Sequence, residues 1–177
     1  SILAQNTIEC ALAYLGTQRH GAIVNPVNIR GSEATVAAVL AEVEPSVVLH
    51  SVTDADLAAR VRPAAPNARW VSWFDLDDRQ ASRDSLFGEL ELARRDPWPG
   101  PEGGPGSLAL IVHTSGTGSK PKGVVHTRDS MRCSTEASIE LVGMTSADRI
   151  LEFRAHSWLS PQVLTLAESV ATGATAV

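Results

Sequence analysis

The chain has 177 residues, 44% of them hydrophobic and 20% charged, which is typical of a folded globular protein and excludes a disordered tail. Fifteen basic and twenty acidic side chains give a net charge of −5, so we expect no broad cationic surface for nucleic acid or anionic lipid. No apolar run is long enough to predict a membrane span. Cys10 and Cys133 are expected to be small buried residues in a reducing compartment, and the predicted location is the cytoplasm.

The first half of the chain alternates predicted helices with predicted strands. The helices cover 6–18, 32–43 and 54–61, and the strands cover 22–24, 46–50 and 69–74. In the first helix, Ile8, Leu12 and Leu15 follow helical spacing and predict the apolar face. Helices and strands that alternate over short connections are typical of βαβ units. We therefore expect an α/β fold with a mostly parallel sheet flanked by helices.

The second half continues the alternation. Strands are predicted over 108–112, 123–126, 149–153 and 174–177, and helices over 127–142 and 160–172. Thr127 or Asp129 is the expected cap of the first of these helices, and Gly143 is its expected end. A capping serine at Ser160, followed by Pro161, predicts the start of the second. The predicted apolar face of that helix is Val163, Leu164, Ala167, Val170 and Ala171.

A segment rich in proline and glycine, DPWPGPEGGPG, separates the two halves. It covers residues 96–106, and such a composition supports neither a helix nor a central strand, so we expect an exposed linker. The predicted organisation is a first half at 1–95, the linker, and a second half at 107–177.

Both lysines of the chain, Lys120 and Lys122, lie in one glycine-rich segment, whereas every other basic residue is an arginine. The segment HTSGTGSKPKG directly follows the predicted strand at 108–112. Its glycines let backbone N–H groups approach a ligand closely. Hydroxyl groups suited to phosphate oxygens or to a magnesium ion come from Thr114, Ser115, Thr117 and Ser119. This pattern predicts a polyphosphate-binding loop, and the alternative is a surface loop without a ligand.

The spacing in this loop excludes three other motifs. A Walker A loop counted from Gly116 would need a glycine where Pro121 stands, and the dinucleotide-binding fingerprint fails at the same proline. Ser115 is not a nucleophile elbow, because His113 stands where that motif needs a glycine.

The segment TSGTGSKPKG resembles the phosphate-loop signature of the adenylate-forming superfamily: acyl-CoA synthetases, peptide-synthetase adenylation domains and luciferases. It departs from the usual pattern at His113, Gly118 and Ser119, where the family has an aromatic residue, threonine and glycine, but its Pro-Lys-Gly end is intact. Two further blocks resemble the family, AYLGTQRHGAIVNPVNIR and ADRILEFRAHSWLSPQVLTLAESVATGATAV.

The resemblance implies a two-step reaction. ATP and a small carboxylic acid give an acyl-adenylate and pyrophosphate, and a thiol, usually coenzyme A, then takes the acyl group. Lys122 matches the family lysine that offsets charge on the departing pyrophosphate, and Thr117 is the candidate ligand of Mg²⁺. The residues implied to hold the phosphates are Thr114, Ser115, Gly116, Thr117, Gly118, Ser119, Lys120, Lys122 and Gly123.

The last block also implies residues for the acid. The position of the family's gating histidine falls on Trp158, with His156 two residues earlier, and these two are the candidate substrate residues. A tryptophan buried in the core is the alternative for Trp158.

The resemblance implies part of a large N-terminal domain. The chain starts without methionine and ends inside a predicted strand, so we expect a fragment. The family's small C-terminal domain and its catalytic lysine are expected to be absent, because both lysines already lie in the loop. We therefore predict that residues 1–177 alone do not catalyse adenylation. The alternative to an AMP-forming ligase is a non-catalytic nucleotide-binding α/β module.

Overall fold

The structure is a computed structural model and describes residues 1–73, 103–114 and 121–177. Its first part is a parallel sheet with the strand order β2-β1-β3-β4. The strands are β1 (Ile2–Leu3), β2 (Pro26–Val27), β3 (Val47–Ser51) and β4 (Arg69–Trp73). The expectation of a parallel α/β sheet is confirmed for this part of the chain.

Three helices connect these strands: α1 (Ile8–His20), α2 (Glu33–Val43) and α3 (Ala55–Val61). Single turns of 3₁₀-helix, Val52–Asp54 and Arg62–Ala64, flank α3. Thr7 and Ser32 cap the first two helices, since each side-chain oxygen accepts a hydrogen bond from a backbone N–H in the first turn. Gly21 ends α1 at φ 98°, a left-handed conformation that glycine adopts without strain.

The strand β5 (Leu108–Thr114) joins this sheet through Val24. The N–H of Val24 donates to the carbonyl of Ala109 at 3.0 Å, and the N–H of Ile111 donates to the carbonyl of Val24 at 2.9 Å. This bridge is parallel, so β5 points in the same direction as the four parallel strands. On its other edge β5 pairs with β6 (Lys122–Thr127), which runs antiparallel.

The chain continues through α4 (Arg128–Val142), β7 (Arg149–Ile150), a helix over 159–172 that we name α5, and β8 (Thr175–Ala176). Thr127 caps α4 in a reciprocal pair with Ser130, and Gly143 ends it at φ 65°, as predicted. The strands β7 and β8 pair in parallel, but β7 is shorter than the predicted strand over 149–153.

Helices cover both faces of the main sheet. Ile2 and Leu3, adjacent in β1, belong to two different core clusters, because successive side chains of a strand point to opposite faces. On the Ile2 face the core contains residues of α1, α4 and α5, such as Tyr14, Met131 and Val163. The opposite core contains residues of α2 and α3.

The buried face of α1 differs from the prediction. Ile8 and Leu12 are exposed, and Cys10 and Tyr14 are the buried residues of this helix. Cys10 and Tyr14 lie four residues apart and therefore share one side of the helix, which packs on the sheet. Leu12 instead lines an open apolar groove of about 850 Å³.

The prediction that both cysteines are buried holds for Cys10 and is wrong for Cys133. Cys133 lies two residues after Met131, which is buried, and residues two apart on a helix face different directions. It therefore lies on the solvent side of α4.

The start and the apolar face of α5 also differ from the prediction. The helix begins at Leu159 with Trp158 at the N-cap position, and no side chain, Ser160 included, caps it. Its middle, Gln162–Ala167, is π-helical. A π-helical turn holds more residues than an α-helical one and rotates the residues that follow. Val163, near the start of the π-helical part, is buried, whereas Val170, which follows that part, is exposed.

Of the predicted linker, only 103–106 is described, and these residues are exposed. Residues 96–102 lie outside the described part of the chain, so the domain boundaries remain a prediction. No helix in the described ranges combines the length and the apolar character needed to cross a membrane.

The rotation of α5 gives a test with two matched substitutions. Val163 is 6% exposed and Val170 is 67% exposed, although helical spacing places both on the apolar face. We expect Val163→Ala to lower the free energy of unfolding by about 1–3 kcal/mol, and Val170→Ala to change it by no more than about 0.5 kcal/mol. Urea denaturation of both variants measures the difference. Equal losses would contradict the rotation.

Candidate functional site

The glycine-rich loop is held at both ends by the β5–β6 pair. Thr114, the last residue of β5, lies opposite Lys122, the first residue of β6, and His113 lies opposite Gly123. Three of the predicted phosphate-binding residues, Thr114, Lys122 and Gly123, therefore lie together at the mouth of the loop. The other six lie outside the described residues: Ser115, Gly116, Thr117, Gly118, Ser119 and Lys120.

The side chain of Lys122 is available to a ligand. Lys122 is exposed at the start of β6. Among the described residues no carboxylate forms a salt bridge with its ammonium group. An ammonium group with three donors and no internal partner suits an anion of variable geometry such as a phosphate.

The side chains of Asn25 and Ser1 support the stem of the loop from the side. The amide of the buried Asn25 donates to the carbonyl of Ile111 at 2.9 Å and lies 3.3 Å from Nδ1 of His113. Ser1 Oγ donates to Oδ1 of the same amide at 3.0 Å, which fixes its orientation. Because an amide nitrogen only donates, Nδ1 of His113 accepts and Nε2 carries the proton.

Glu42 of α2 contacts both strands of this stem. Its Oε2 lies 3.8 Å from Nε2 of His113, and its Oε1 accepts from the N–H of Gly123 at 3.4 Å. Burial lowers the pKa of His113, and the nearby Glu42 charge opposes that shift. His113 is therefore favoured in its neutral form, which suits a structural support for the strand.

The loop lies at the carboxyl end of the parallel strands. β5 points in the same direction as β1 and β3, so the two ends of the loop, Thr114 and Lys122, lie on the same edge as the residues that follow those strands. In open α/β sheets this edge is where ligands bind.

The two predicted substrate residues lie in the segment between β7 and α5. Trp158 is 55% exposed, so it is not the core tryptophan of the alternative interpretation. His156 is partly buried, and its Nδ1 has no hydrogen-bond partner among residues 1–73, 103–114 and 121–177. Burial lowers the pKa of His156, and the charge of Glu152 partly opposes this.

A partly buried ion pair anchors this segment to α5. Nε and Nη2 of Arg154 donate to the two carboxylate oxygens of Glu152 at 2.9 and 2.7 Å. Thr165 Oγ1 donates to the same carboxylate at 2.5 Å. Burial alone would raise the pKa of Glu152, but the hydrogen bonds from Arg154 and Thr165 outweigh it and lower the pKa to about 2. Glu152 is thus a structural anion.

The loop stem and the segment at 156–158 are not joined directly. Among the described residues, His156 and Trp158 bond to neighbouring backbone and to side chains outside the stem. Asn6, which accepts from the N–H of His156, follows β1 at the carboxyl edge of the sheet. The two predicted sites therefore lie on the same edge of the fold.

The described residues contain no cluster of three or more His, Cys, Asp or Glu side chains suited to a metal ion. Mg²⁺ that accompanies a nucleotide takes most of its ligands from phosphate and water, so one protein hydroxyl is sufficient. Thr114 presents an exposed hydroxyl at the loop mouth and fits such a role, whereas Thr117 lies outside the described residues.

A model of the family described as "AMP-binding enzyme" matches residues 1–177. The chain belongs to this family. Its helix-flanked parallel sheet is the fold of the N-terminal domain of adenylate-forming enzymes. The solved N-terminal domain of FACL13 from Mycobacterium tuberculosis superposes with a TM-score of 0.82 at 26% identity, covering 99% of this chain and 42% of that one.

Curated relatives include ligases that use coenzyme A. The long-chain-fatty-acid–CoA ligase FadD13 of Mycobacterium tuberculosis is 28% identical over 152 residues, which cover 85% of this chain and 29% of the relative. The malonate–CoA ligase of Arabidopsis thaliana is 31% identical over 160 residues, covering 85% and 24%. The nonribosomal peptide synthetase gloA of Glarea lozoyensis is 24% identical over 152 residues, covering 83% and 2%. The chain therefore spans less than a third of each relative.

Sequence reasoning missed the side chains that hold these segments in place. Asn25, which follows an apolar run and directly precedes β2, carried a signal, because an amide that is buried there needs hydrogen-bond partners. Glu42 and Asn6 carried no such signal, because glutamate and asparagine are common on protein surfaces. Their contacts are with residues far along the chain.

The ion pair of Glu152 predicts a specific pH dependence of stability. Its side chain is 4% exposed, and its pKa falls from 4.5 to about 2 on folding. The resulting stabilisation is present above pH 4.5 and is lost as the pH falls through 2. Because Glu152 loses hydrogen bonds to a charged group, we expect Glu152→Gln to lower the free energy of unfolding at pH 7 by about 1.5–3 kcal/mol. This difference from the unsubstituted protein should shrink below pH 4.5.

Urea denaturation between neutral and acidic pH measures this difference, with Glu140→Gln on the exposed side of α4 as the matched control. The control is expected to follow the unsubstituted protein at every pH. A Glu152→Gln difference that is constant with pH would contradict the assignment.

Proposed function

We propose that the polypeptide carrying this chain is an AMP-forming ligase that activates a carboxylic acid with ATP and transfers the acyl group to coenzyme A. The observation that carries the proposal is the loop with both lysines, closed by β5 and β6 at the carboxyl edge of the sheet. Membership of the AMP-binding enzyme family and the CoA ligases among the relatives support it.

The loop would bind the β- and γ-phosphates of ATP. Its backbone N–H groups, the hydroxyls of Thr114, Ser115, Thr117 and Ser119, and the ammonium groups of Lys120 and Lys122 are the proposed donors. When a carboxylate oxygen attacks the α-phosphorus, the bond to pyrophosphate breaks and negative charge moves to the leaving group. Lys122, fixed at the start of β6 and without a salt-bridge partner in the described part of the chain, is placed to offset that charge. Mg²⁺, with Thr117 as its proposed protein ligand, supplies further charge neutralisation when bound.

The acid would bind beside His156 and Trp158. The exposed indole of Trp158 offers an apolar surface, and His156 offers a ring nitrogen without an internal partner. Both follow a strand end near the carboxyl edge, where the proposed ATP loop lies. The relatives act on acids as different as a long-chain fatty acid and malonate, so the proposal names the class of carboxylic acids and no single member.

Coenzyme A is the proposed thiol, and a peptide-synthetase carrier is the competing acceptor. Both kinds of ligase are among the relatives. Thr117 favours acyl-CoA synthetases, since peptide-synthetase domains often have serine at that position. We also propose a cytoplasmic location, which the two free cysteines support.

A nucleotide-binding module without catalysis is the second candidate, and the altered Gly118–Ser119 pair favours it. Exchange of labelled pyrophosphate into ATP, measured for the native polypeptide over a panel of carboxylic acids, separates the two candidates. A ligase gives exchange that requires an acid, and it then consumes free coenzyme A. ATP binding without exchange for any acid supports the second candidate. Residues 1–177 alone are expected to give no exchange.

Replacement of Lys122 tests the phosphate contact directly. One hydrogen bond to a charged group contributes about 1.5–3 kcal/mol, so Lys122→Ala is expected to raise the Kd for ATP about 10- to 100-fold. Because the side chain is exposed, the free energy of unfolding should change by no more than about 0.5 kcal/mol. Isothermal titration calorimetry measures the Kd. Arg149→Ala, which removes an exposed cation from β7, is the control and should leave it unchanged. An unaltered Kd for Lys122→Ala would contradict the contact.

A further inference from the structure

The segment that carries His156 and Trp158 has no regular secondary structure. It connects β7 to α5, and within it only a tight turn forms, in which the N–H of Trp158 donates to the carbonyl of Ala155 at 3.0 Å. At its start the N–H of Glu152 still donates to the carbonyl of Val177 at 3.0 Å. Beyond Glu152 no strand ladder holds the backbone, so the position of residues 153–158 depends on individual hydrogen bonds from side chains.

Asn6 supplies two of these hydrogen bonds. Its Nδ2 donates to the carbonyl of Arg154 at 2.5 Å, and its Oδ1 accepts from the N–H of His156 at 2.8 Å. A side-chain amide has one donor end and one acceptor end, so it satisfies both backbone groups as a neighbouring strand would. The contact joins the segment to the residues that follow β1.

Gln162 holds the same residue from the opposite side. Its Nε2 donates to the carbonyl of His156. Gln162 is 1% exposed and is the first residue of the π-helical part of α5, so its amide is enclosed by the core. The N–H and the carbonyl of His156 are thus bonded to two side-chain amides that come from different elements. Together they fix the backbone on both sides of the His156 side chain.

We propose that Asn6 and Gln162 are positioning residues for the carboxylic acid. They fix the backbone at His156 and thereby the positions of the His156 and Trp158 side chains, which form one side of the proposed acid-binding site. This inference rests on the proposed function. In the described part of the chain neither side chain hydrogen-bonds to the β5–β6 stem. Loss of the Asn6 contact should therefore weaken use of the acid and spare use of ATP.

The test compares Asn6→Ala and Asn6→Asp with the unsubstituted native polypeptide in acid-dependent pyrophosphate exchange. Asn6→Ala removes both hydrogen bonds, and we expect the KM for the acid to rise about tenfold. The KM for ATP and kcat should stay within about twofold. Asn6→Asp keeps the side-chain volume but places an oxygen against the carbonyl of Arg154, so it should raise the KM for the acid as well.

Asn28→Ala is the matched control. Asn28 is also an exposed asparagine that bonds to backbone, since its Oδ1 accepts from the N–H of Arg30, but that contact is local to a turn. We expect this variant to match the unsubstituted protein in both KM values.

A second readout follows the backbone without using activity. Hydrogen exchange at the amide of His156 should be faster in Asn6→Ala, whereas amides in α2 should exchange as before. Exchange at His156 that is no faster than in the unsubstituted protein would overturn the contact itself.

The outcomes separate this proposal from the proposed function. If the unsubstituted polypeptide exchanges pyrophosphate with an acid but Asn6→Ala has an unchanged KM for the acid, the positioning role is wrong and the ligase assignment stands. An equal rise in both KM values would make Asn6 a general structural residue and would also overturn the proposal. If the unsubstituted polypeptide shows no acid-dependent exchange, the ligase assignment fails and the substrate role of Asn6 fails with it.

Discussion

The position of β5 is the constraint on which the candidate site depends. One edge of this strand bonds to Val24 in parallel, and its other edge bonds to β6 in antiparallel register. The first contact sets the direction of β5, so that the glycine-rich loop leaves at the carboxyl edge of the sheet. The second contact, with the antiparallel strand β6, places Lys122 opposite Thr114. Buried residues of β5, among them Leu110, then belong to the core beneath the loop, so both ends of a glycine-rich segment rest on a rigid base.

Side-chain amides form hydrogen bonds with backbone groups that the strand ladders leave without a backbone partner. Asn25 bonds to the carbonyl of Ile111 beside the loop stem, and Asn6 and Gln162 bond to the backbone at His156. Each is an amide, which donates and accepts at once and can therefore complete the hydrogen bonding of irregular backbone. The ion pair of Glu152 and Arg154 adds a charged anchor below the second segment. The two predicted sites are thus held by similar chemistry on one edge of the fold.

Much of the fold and the loop could be predicted from local sequence signals. The alternation of helices and strands, the cap at Thr127 and the glycine end of α4 are short-range features, and the structure confirms them. The buried face of α1 and the rotation of α5 could not be predicted, because tertiary packing selects the face and a π-helical turn breaks the helical repeat. The contacts of Glu42 and Asn6 join residues far apart in the chain, and no local pattern encodes them.

Chemical labelling of the lysines is the most direct test of the central claim that this loop binds the phosphates of ATP. Only two lysines occur in these 177 residues, and both belong to the loop, so an amine-reactive reagent followed by peptide mass spectrometry reports on this site specifically. We expect saturating ATP with magnesium to slow the labelling of Lys122 in the native polypeptide, whereas adenosine should leave labelling of the same peptide unchanged. Equal labelling rates of Lys122 with and without saturating ATP would contradict it.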